Sequence, residues 1–295
     1  MTGQGRANLS AEFGFDFASD ADGLTIYTHH WPAFGDTKGM LVIAHGAAEH
    51  GARYARFAAA LGQAGYETWA VDHRGHGRSP GPGGLGDTGK GGWEALVADI
   101  AQVAGMARKA NPRVPIALFG HSMGSFAAQQ CCAEHEALFD ALVLSGSAGF
   151  DFPDELDVLP ELDFNAGFQP SRTPYDWLSR DSAEVDKYVE DPLCGFEAVR
   201  PVYDLPILRK VFSAETMGKL ASGLPVLLLS GDKDPLNFGL LLTQRLEEKL
   251  HEAGVKQVDK LVYADGRHEM LNEVNRDEVM SDVIAWLSKV LPTAG

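Results

Sequence analysis

Gly120-His121-Ser122-Met123-Gly124 places a serine with a glycine two residues away on either side. A short apolar run, Ile116 to Phe119, precedes it and a helical pattern starts at Met123. A serine on such a tight strand-to-helix turn must accept strained backbone angles, and small flanking residues let strand and helix pass closely. The turn lifts the hydroxyl clear of its strand, beside the free N–H groups and positive dipole end of the helix. The chemistry this suits is covalent acyl transfer. A serine hydroxyl is a poor nucleophile at neutral pH, so it needs a base within hydrogen-bond reach and a carboxylate to orient that base. Downstream, Ser230-Gly231-Asp232-Lys233-Asp234-Pro235 offers two acids after the apolar run Val226 to Leu229, and Ala264-Asp265-Gly266-Arg267-His268-Glu269 offers one histidine.

A second loop bears on the same chemistry. Val42 to Ala44 leads into His45-Gly46-Ala47-Ala48-Glu49-His50-Gly51, a turn of small residues that can bring a backbone N–H close to a substrate carbonyl. The expected oxyanion hole is the N–H of Ala47 with that of Met123; losing one such donor typically costs roughly 3 kcal/mol of barrier.

Together with Asp72-His73-Arg74-Gly75-His76-Gly77-Arg78-Ser79, these segments resemble the monoacylglycerol lipase and lysophospholipase branch of the serine α/β hydrolases, of the serine aminopeptidase S33 type. The resemblance covers most of the chain. It implies a triad of Ser122, Asp234 and His268, because in that family the acid falls three residues after the glycine that ends its strand; Asp232 is then a turn residue. It implies the donors Ala47 and Met123, and it places Glu49 and Arg53 near a glycerol headgroup. Those lipases carry a second histidine three residues after the catalytic one, where this chain has Leu271. The implied substrates are monoacylglycerols or lysophospholipids. Small esters, or aminoacyl amides cleaved by an aminopeptidase with the same triad, are the alternatives.

Residues so far apart in sequence need a scaffold. Phe13, Phe15 and Phe17 alternate with polar residues, and Leu24 to Thr28 follows a turn, which predicts an antiparallel edge hairpin. Nearly continuous apolar runs at Met40–Ala44, Glu67–Val71, Ile116–Phe119, Ala141–Leu144, Val226–Leu229 and Leu261–Tyr263 suit strands buried on both faces. Helical patterns at Tyr54–Gln63, Trp93–Lys109, Met123–Glu134, Phe238–His251 and Glu278–Val290 separate most of them. The predicted fold is therefore α/β, an α/β-hydrolase fold with a mostly parallel sheet between helices. From Gly149 to about Met217 the rhythm stops, so residues 149–217 are expected to form a cap on a core of residues 1–148 and 218–295. Phe150, Phe152, Phe164, Phe168, Tyr175, Trp177, Tyr188 and Phe196 in that insertion could roof an apolar pocket or form the cap's own core.

Composition excludes several classes of partner. With 25 Lys+Arg against 41 Asp+Glu the formal charge is −16, which repels nucleic acid and anionic membrane surfaces. The stretch Asp151 to Asp191 alone holds 12 acidic residues against Arg172, Arg180 and Lys187. No apolar run reaches the roughly 20 residues that span a bilayer, and no signal-peptide pattern opens the chain. Three cysteines, Cys131, Cys132 and Cys194, make no disulfide framework. A cytoplasmic enzyme acting on a small ester or lipid is expected, with no cofactor, no metal and no stable membrane insertion. Asp72, His73 and His76, with His45 and His50, match no zinc spacing and predict a hydrogen-bonded turn below the site. Gly81 to Gly92 imitates phosphate-binding motifs, but Gly91 stands where a magnesium-binding hydroxyl belongs; a mobile loop beside the site is expected.

Overall fold

In the computed structural model, residues 12–151, 163–198 and 202–291 are described; Phe152, one of the candidate roofing aromatics, lies outside them. The strands are β1 (Phe15–Ala18), β2 (Thr25–Trp31), β3 (Gly39–Ala44), β4 (Tyr66–Val71), β5 (Ile116–His121), β6 (Ala141–Ser145), β7 (Val226–Gly231) and β8 (Val258–Tyr263). They form one sheet in the order β1-β2-β4-β3-β5-β6-β7-β8. The expected hairpin is present: β1 and β2 pair antiparallel, β2 pairs antiparallel with β4, and all later pairings are parallel. Strand β2 runs on through His29, His30 and Trp31, past the predicted end at Thr28. Histidine is tolerated there because carboxylates meet it: Asp72 for His29 and Glu67 for His30.

Strands β3 to β7 are buried along their whole lengths, and successive side chains feed opposite helical layers. On one side Ile43, Phe119 and Leu229 pack with Phe57 and Leu61 of α1 (Ala55–Ala64) and Val283 and Leu287 of α8 (Arg276–Val290). On the other, Val42, Leu118 and Leu228 pack with residues of α2 (Gly92–Ala110), α3 (Met123–Glu134) and α7 (Leu241–Glu252). After β4 the chain crosses behind β3 to form β5, so the loops leaving β3 and β5 diverge at their carboxyl ends. Such a topological switch point is where open α/β sheets bind ligands.

The interval after β6 holds no strand among its described residues; it contributes α4 (Ser182–Glu190), α5 (Leu205–Val211) and α6 (Ala214–Met217). Its parts differ in attachment. Leu208, Val211, Phe212 and Met217 join the main core, whereas Leu178, Tyr188 and Cys194 make a small cluster of their own.

The segment after β4 forms the expected turn. Asp72 accepts the N–H groups of Gly51 (2.7 Å) and Arg78 (2.8 Å), and the fully buried Arg74 is bound by Asp99, Asp22 and Ser19. Gly81 to Gly92 is pinned around Asp87, which accepts from Gly83 and Gly89, and none of its residues lines the cavity that holds Ser122. Its expected place beside the site is corrected accordingly. His45, His73 and His76 cluster with ring centroids 4.3–6.3 Å apart and planes inclined at 52–83°, and burial holds all three imidazoles below their usual proton affinity. In the unfolded chain they titrate near pH 6.5. Protons then bind the unfolded state first, so stability present above pH 6.5 is lost as pH falls below it, by up to about 1.4 kcal/mol per pH unit for each ring. The urea midpoint should drop clearly between pH 7 and pH 5.5; an unchanged midpoint would refute neutral burial.

Candidate active site

Ser122 joins β5 to α3 with φ 50° and ψ −122°, a strained conformation for a residue with a side chain. Neighbours hold it there. Its N–H donates to the Ser145 carbonyl at 2.9 Å, and its own carbonyl accepts from Ser125 Oγ at 2.6 Å. The two glycines are required by contact: a Cβ on Gly120 would stand 2.6 Å from the Gly124 carbonyl oxygen, and one on Gly124 would strike the Ala44 and His45 carbonyls. Thus the start of α3 lies against the end of β3, and the N–H of Met123, in the first turn, has no acceptor within its helix.

Asp234 follows β7 and is buried. Its Oδ2 lies 2.9 Å from His268 Nδ1, and the carboxylate also accepts from the Leu236 N–H and from Asn237 Nδ2. Asp232 instead accepts the N–H of Asp265, closing the turn between the two loops. With Nδ1 committed to Asp234, Nε2 is the imidazole nitrogen left to take a proton. Burial pulls His268 toward neutrality, but the Asp234 charge and hydrogen bond outweigh it and the net proton affinity is raised. The adjacent His121 ring, 4.7 Å away, is pushed down to about 4 by burial and by His268, so it stays neutral.

Ser122 and His268 line one cavity of about 270 Å³ with Gly46, Ala47, Ala48 and Glu49 from the loop after β3. The insertion covers it with Phe164, Tyr175, Trp177, Tyr188, Phe196 and Tyr203. Of the other aromatics proposed for that roof, Phe150 packs against Phe126 and Phe212, and Phe168 lies under the Arg267 guanidinium. A serine, an imidazole paired with a carboxylate, and the small-residue loop after β3 thus meet around one cavity with polar and apolar walls, the set of groups that acyl transfer to a serine requires.

A family model described as serine aminopeptidase, S33, matches residues 35–275. The chain belongs to that family. A monoacylglycerol lipase of Mycolicibacterium smegmatis is 31% identical, with 90% of this chain and 93% of that one covered. The rat monoglyceride lipase is 29% identical, over 94% and 91% of the two chains. Among solved structures, a Bacillus coagulans carboxyl esterase in complex with glycerol superposes with TM-score 0.83 at 24% identity, covering 95% of this chain and 99% of that one. A soluble variant of the Saccharomyces cerevisiae monoglyceride lipase does so with TM-score 0.78 at 18% identity over 98% of both. This S33 member is thus a serine hydrolase of the monoacylglycerol lipase branch, with the α/β-hydrolase fold.

Of the two residues placed near a headgroup by resemblance, Glu49 lines the Ser122 cavity and Arg53 does not. Arg53 stands behind it, bonding Glu49 at 2.6 Å and Glu269 through two hydrogen bonds of 2.7 Å. Leu271 packs into the core beside α8. His50, Asp191 and Cys194 are the one set among the described residues whose possible metal-ligand atoms gather within 4.8 Å. That set suits a cation poorly. His50 already bonds Asp191 at 2.9 Å, burial pushes the Cys194 thiol up, and the Arg53 charge acts on the same atoms.

Two positions, Gly146 and Asn237, and one contact of Tyr188 escaped sequence reasoning. Gly146, with φ 54°, leaves room for the His268 imidazole: a Cβ there would be 2.9 Å from its Cε1. Asn237 braces Asp234 and is itself held by a hydrogen bond to Ser230 Oγ of 2.7 Å. Tyr188 reaches from α4 to donate its hydroxyl to the Ala48 carbonyl at 2.9 Å, where the Gly195 N–H also donates. Ala48 has φ 52°, so these two donors hold a strained residue directly after Ala47. Tyr188→Phe should lower kcat about tenfold with little change in KM and an unshifted pH profile; a change in KM alone would mean that Tyr188 acts only through its place in the cavity roof and not through its bond to Ala48.

Proposed function

We propose that this protein hydrolyses mono-acyl lipid esters through an acyl-enzyme, with Ser122 as nucleophile, His268 as base and Asp234 orienting it. His268 Nε2 takes the Ser122 proton as Oγ attacks the ester carbonyl; the oxyanion is met by the N–H groups of Ala47 and Met123, and the alcohol leaves with the proton from His268. Water activated by the same imidazole then releases the fatty acid. The observation that carries this is His268, paired with the buried Asp234, lining one cavity with a serine on a strained strand-to-helix turn.

The cavity's chemistry supports a substrate with two unlike ends. Phe164, Trp177, Leu178 and Leu236 suit an acyl chain, and Glu49, His121 and Glu269 suit a hydroxylated headgroup. Residues 149–217 act as the cap, with the α5–α6 stretch as its anchor on the core of 1–148 and 218–295. All three cysteines are buried free thiols, which fits a reducing cytoplasm. No helix among the described residues is long and apolar enough to cross a membrane, and the −16 charge disfavours nucleic acid.

The test is product formation by mass spectrometry from a panel of monoacylglycerols, lysophospholipids, short esters and aminoacyl amides. Fatty acid released from monoacylglycerol, faster than from short esters, is the expected result. Release from aminoacyl amides alone would overturn it and make the carboxylates of Glu49 and Glu269 an ammonium site.

A further inference from the structure

At the polar end of the cavity the charged groups facing the substrate space are the carboxylates of Glu49 and Glu269. The cation that accompanies them, Arg53, is spent. Its guanidinium bonds Glu49 and forms a two-point bond to Glu269, and its side chain is 12% exposed. The remaining partners of these carboxylates are neutral donors. Gly46 N–H and the Tyr54 hydroxyl donate to Glu49, and Asn272 Nδ2 donates to Glu269. The three charges therefore sum to minus one, and Asp234 across His268 adds another negative charge nearby. Burial favours the neutral form of Glu49, yet Arg53 and the Gly46 N–H more than offset it, so the carboxyl remains ionised.

We infer that Glu269 is a headgroup-selecting residue: by fixing Arg53 behind the cavity wall and facing the cavity itself, it admits neutral hydroxylated headgroups and turns away anionic ones. This rests on the mono-acyl ester reading above and narrows it, favouring glycerol esters over lysolipids that carry a net negative phosphate. A hydroxylated headgroup can donate hydrogen bonds to the two carboxylates. A phosphate brings only acceptors and like charge, in a space where burial weakens screening. Without the Glu269 charge, Arg53 would keep only Glu49 and the cluster would be neutral.

Direct binding separates this inference from the catalytic one. In the Ser122→Ala protein, calorimetry would compare a hexyl glyceryl ether with its 3-phosphate, neither of which can be hydrolysed at an ester. The glyceryl ether should bind on the order of thirtyfold more tightly, and Glu269→Gln in that background should shrink the gap to a few-fold, chiefly by tightening the phosphate. Salt gives a second measurement without a new side chain. Raising it from about 0.05 to 0.5 M should narrow the gap while leaving the neutral ether unchanged. A gap that neither Glu269→Gln nor salt alters, or a phosphate that binds as well as the neutral ether from the start, would overturn the inference. Discrimination retained by a protein that hydrolyses no mono-acyl ester would sustain it and sink the proposed activity.

Discussion

Ser122→Ala is expected to lower kcat on any ester substrate by about 10⁴ to 10⁶-fold and to leave the melting temperature within a few degrees of the parent. The two halves of this expectation have separate causes. In the proposed mechanism the hydroxyl oxygen forms the acyl bond, so its loss removes the covalent route and leaves only binding and the proposed backbone donors Ala47 and Met123. Alanine keeps the Cβ, however, and so keeps the same strain at φ 50°. The hydrogen bonds that pin this residue use its N–H and carbonyl, which alanine retains. Ser122→Gly makes the complementary case, since glycine relaxes at positive φ and should raise stability slightly while remaining inactive. A Ser122→Ala protein that kept a tenth of the activity would show that another group attacks the ester.

Much of the scaffold was legible because the central strands are nearly continuous apolar runs bounded by turns, a pattern that buried parallel strands impose. The serine turn was legible for a related reason: its geometry demands glycines at fixed offsets. Between Asp232 and Asp234 the residues alone left the choice open, since both occupy one loop and only the fold shows that Asp234 opens the turn Pro235–Asn237 while Asp232 ties itself to Asp265. Gly146, Glu269 and the bond from Tyr188 to Ala48 were hidden for a different reason. Each acts across a tertiary contact, to His268, Arg53 and Ala48 respectively, and no local period records such a partner. The helices of the insertion did leave signals in Asp181, Asp204 and Ser213, whose side chains accept from N–H groups of the first turn. Those signals went unread because the helices they start are short, and short helices show little periodicity.

Asp234→Asn should lower kcat about 10³ to 10⁴-fold, whereas Asp232→Asn should change it less than threefold. The asymmetry follows from what each carboxylate touches. Asp234 lies at hydrogen-bond distance from His268 Nδ1, which in the proposed mechanism fixes the tautomer with Nε2 free and stabilises the imidazolium formed as Ser122 attacks. An asparagine can present its amide N–H to the same nitrogen and so favour the wrong tautomer. Asp232 meets only a backbone N–H and, at 3.9 Å, the Lys233 ammonium. The pH profile supplies an independent sign. Burial depresses the proton affinity of His268 but Asp234 raises it further, so the net shift is upward from 6.5. Because catalysis needs the neutral ring, kcat/KM of the parent should rise with pH through a midpoint above 6.5. Removing the Asp234 charge leaves burial opposed only by Glu269 and Glu49, and the residual activity of Asp234→Asn should then rise through a midpoint lower than the parent's. A midpoint that stayed in place would mean the base is not paired with Asp234, and an equal loss from Asp232→Asn would mean that the loop's conformation, rather than one carboxylate, supports the base.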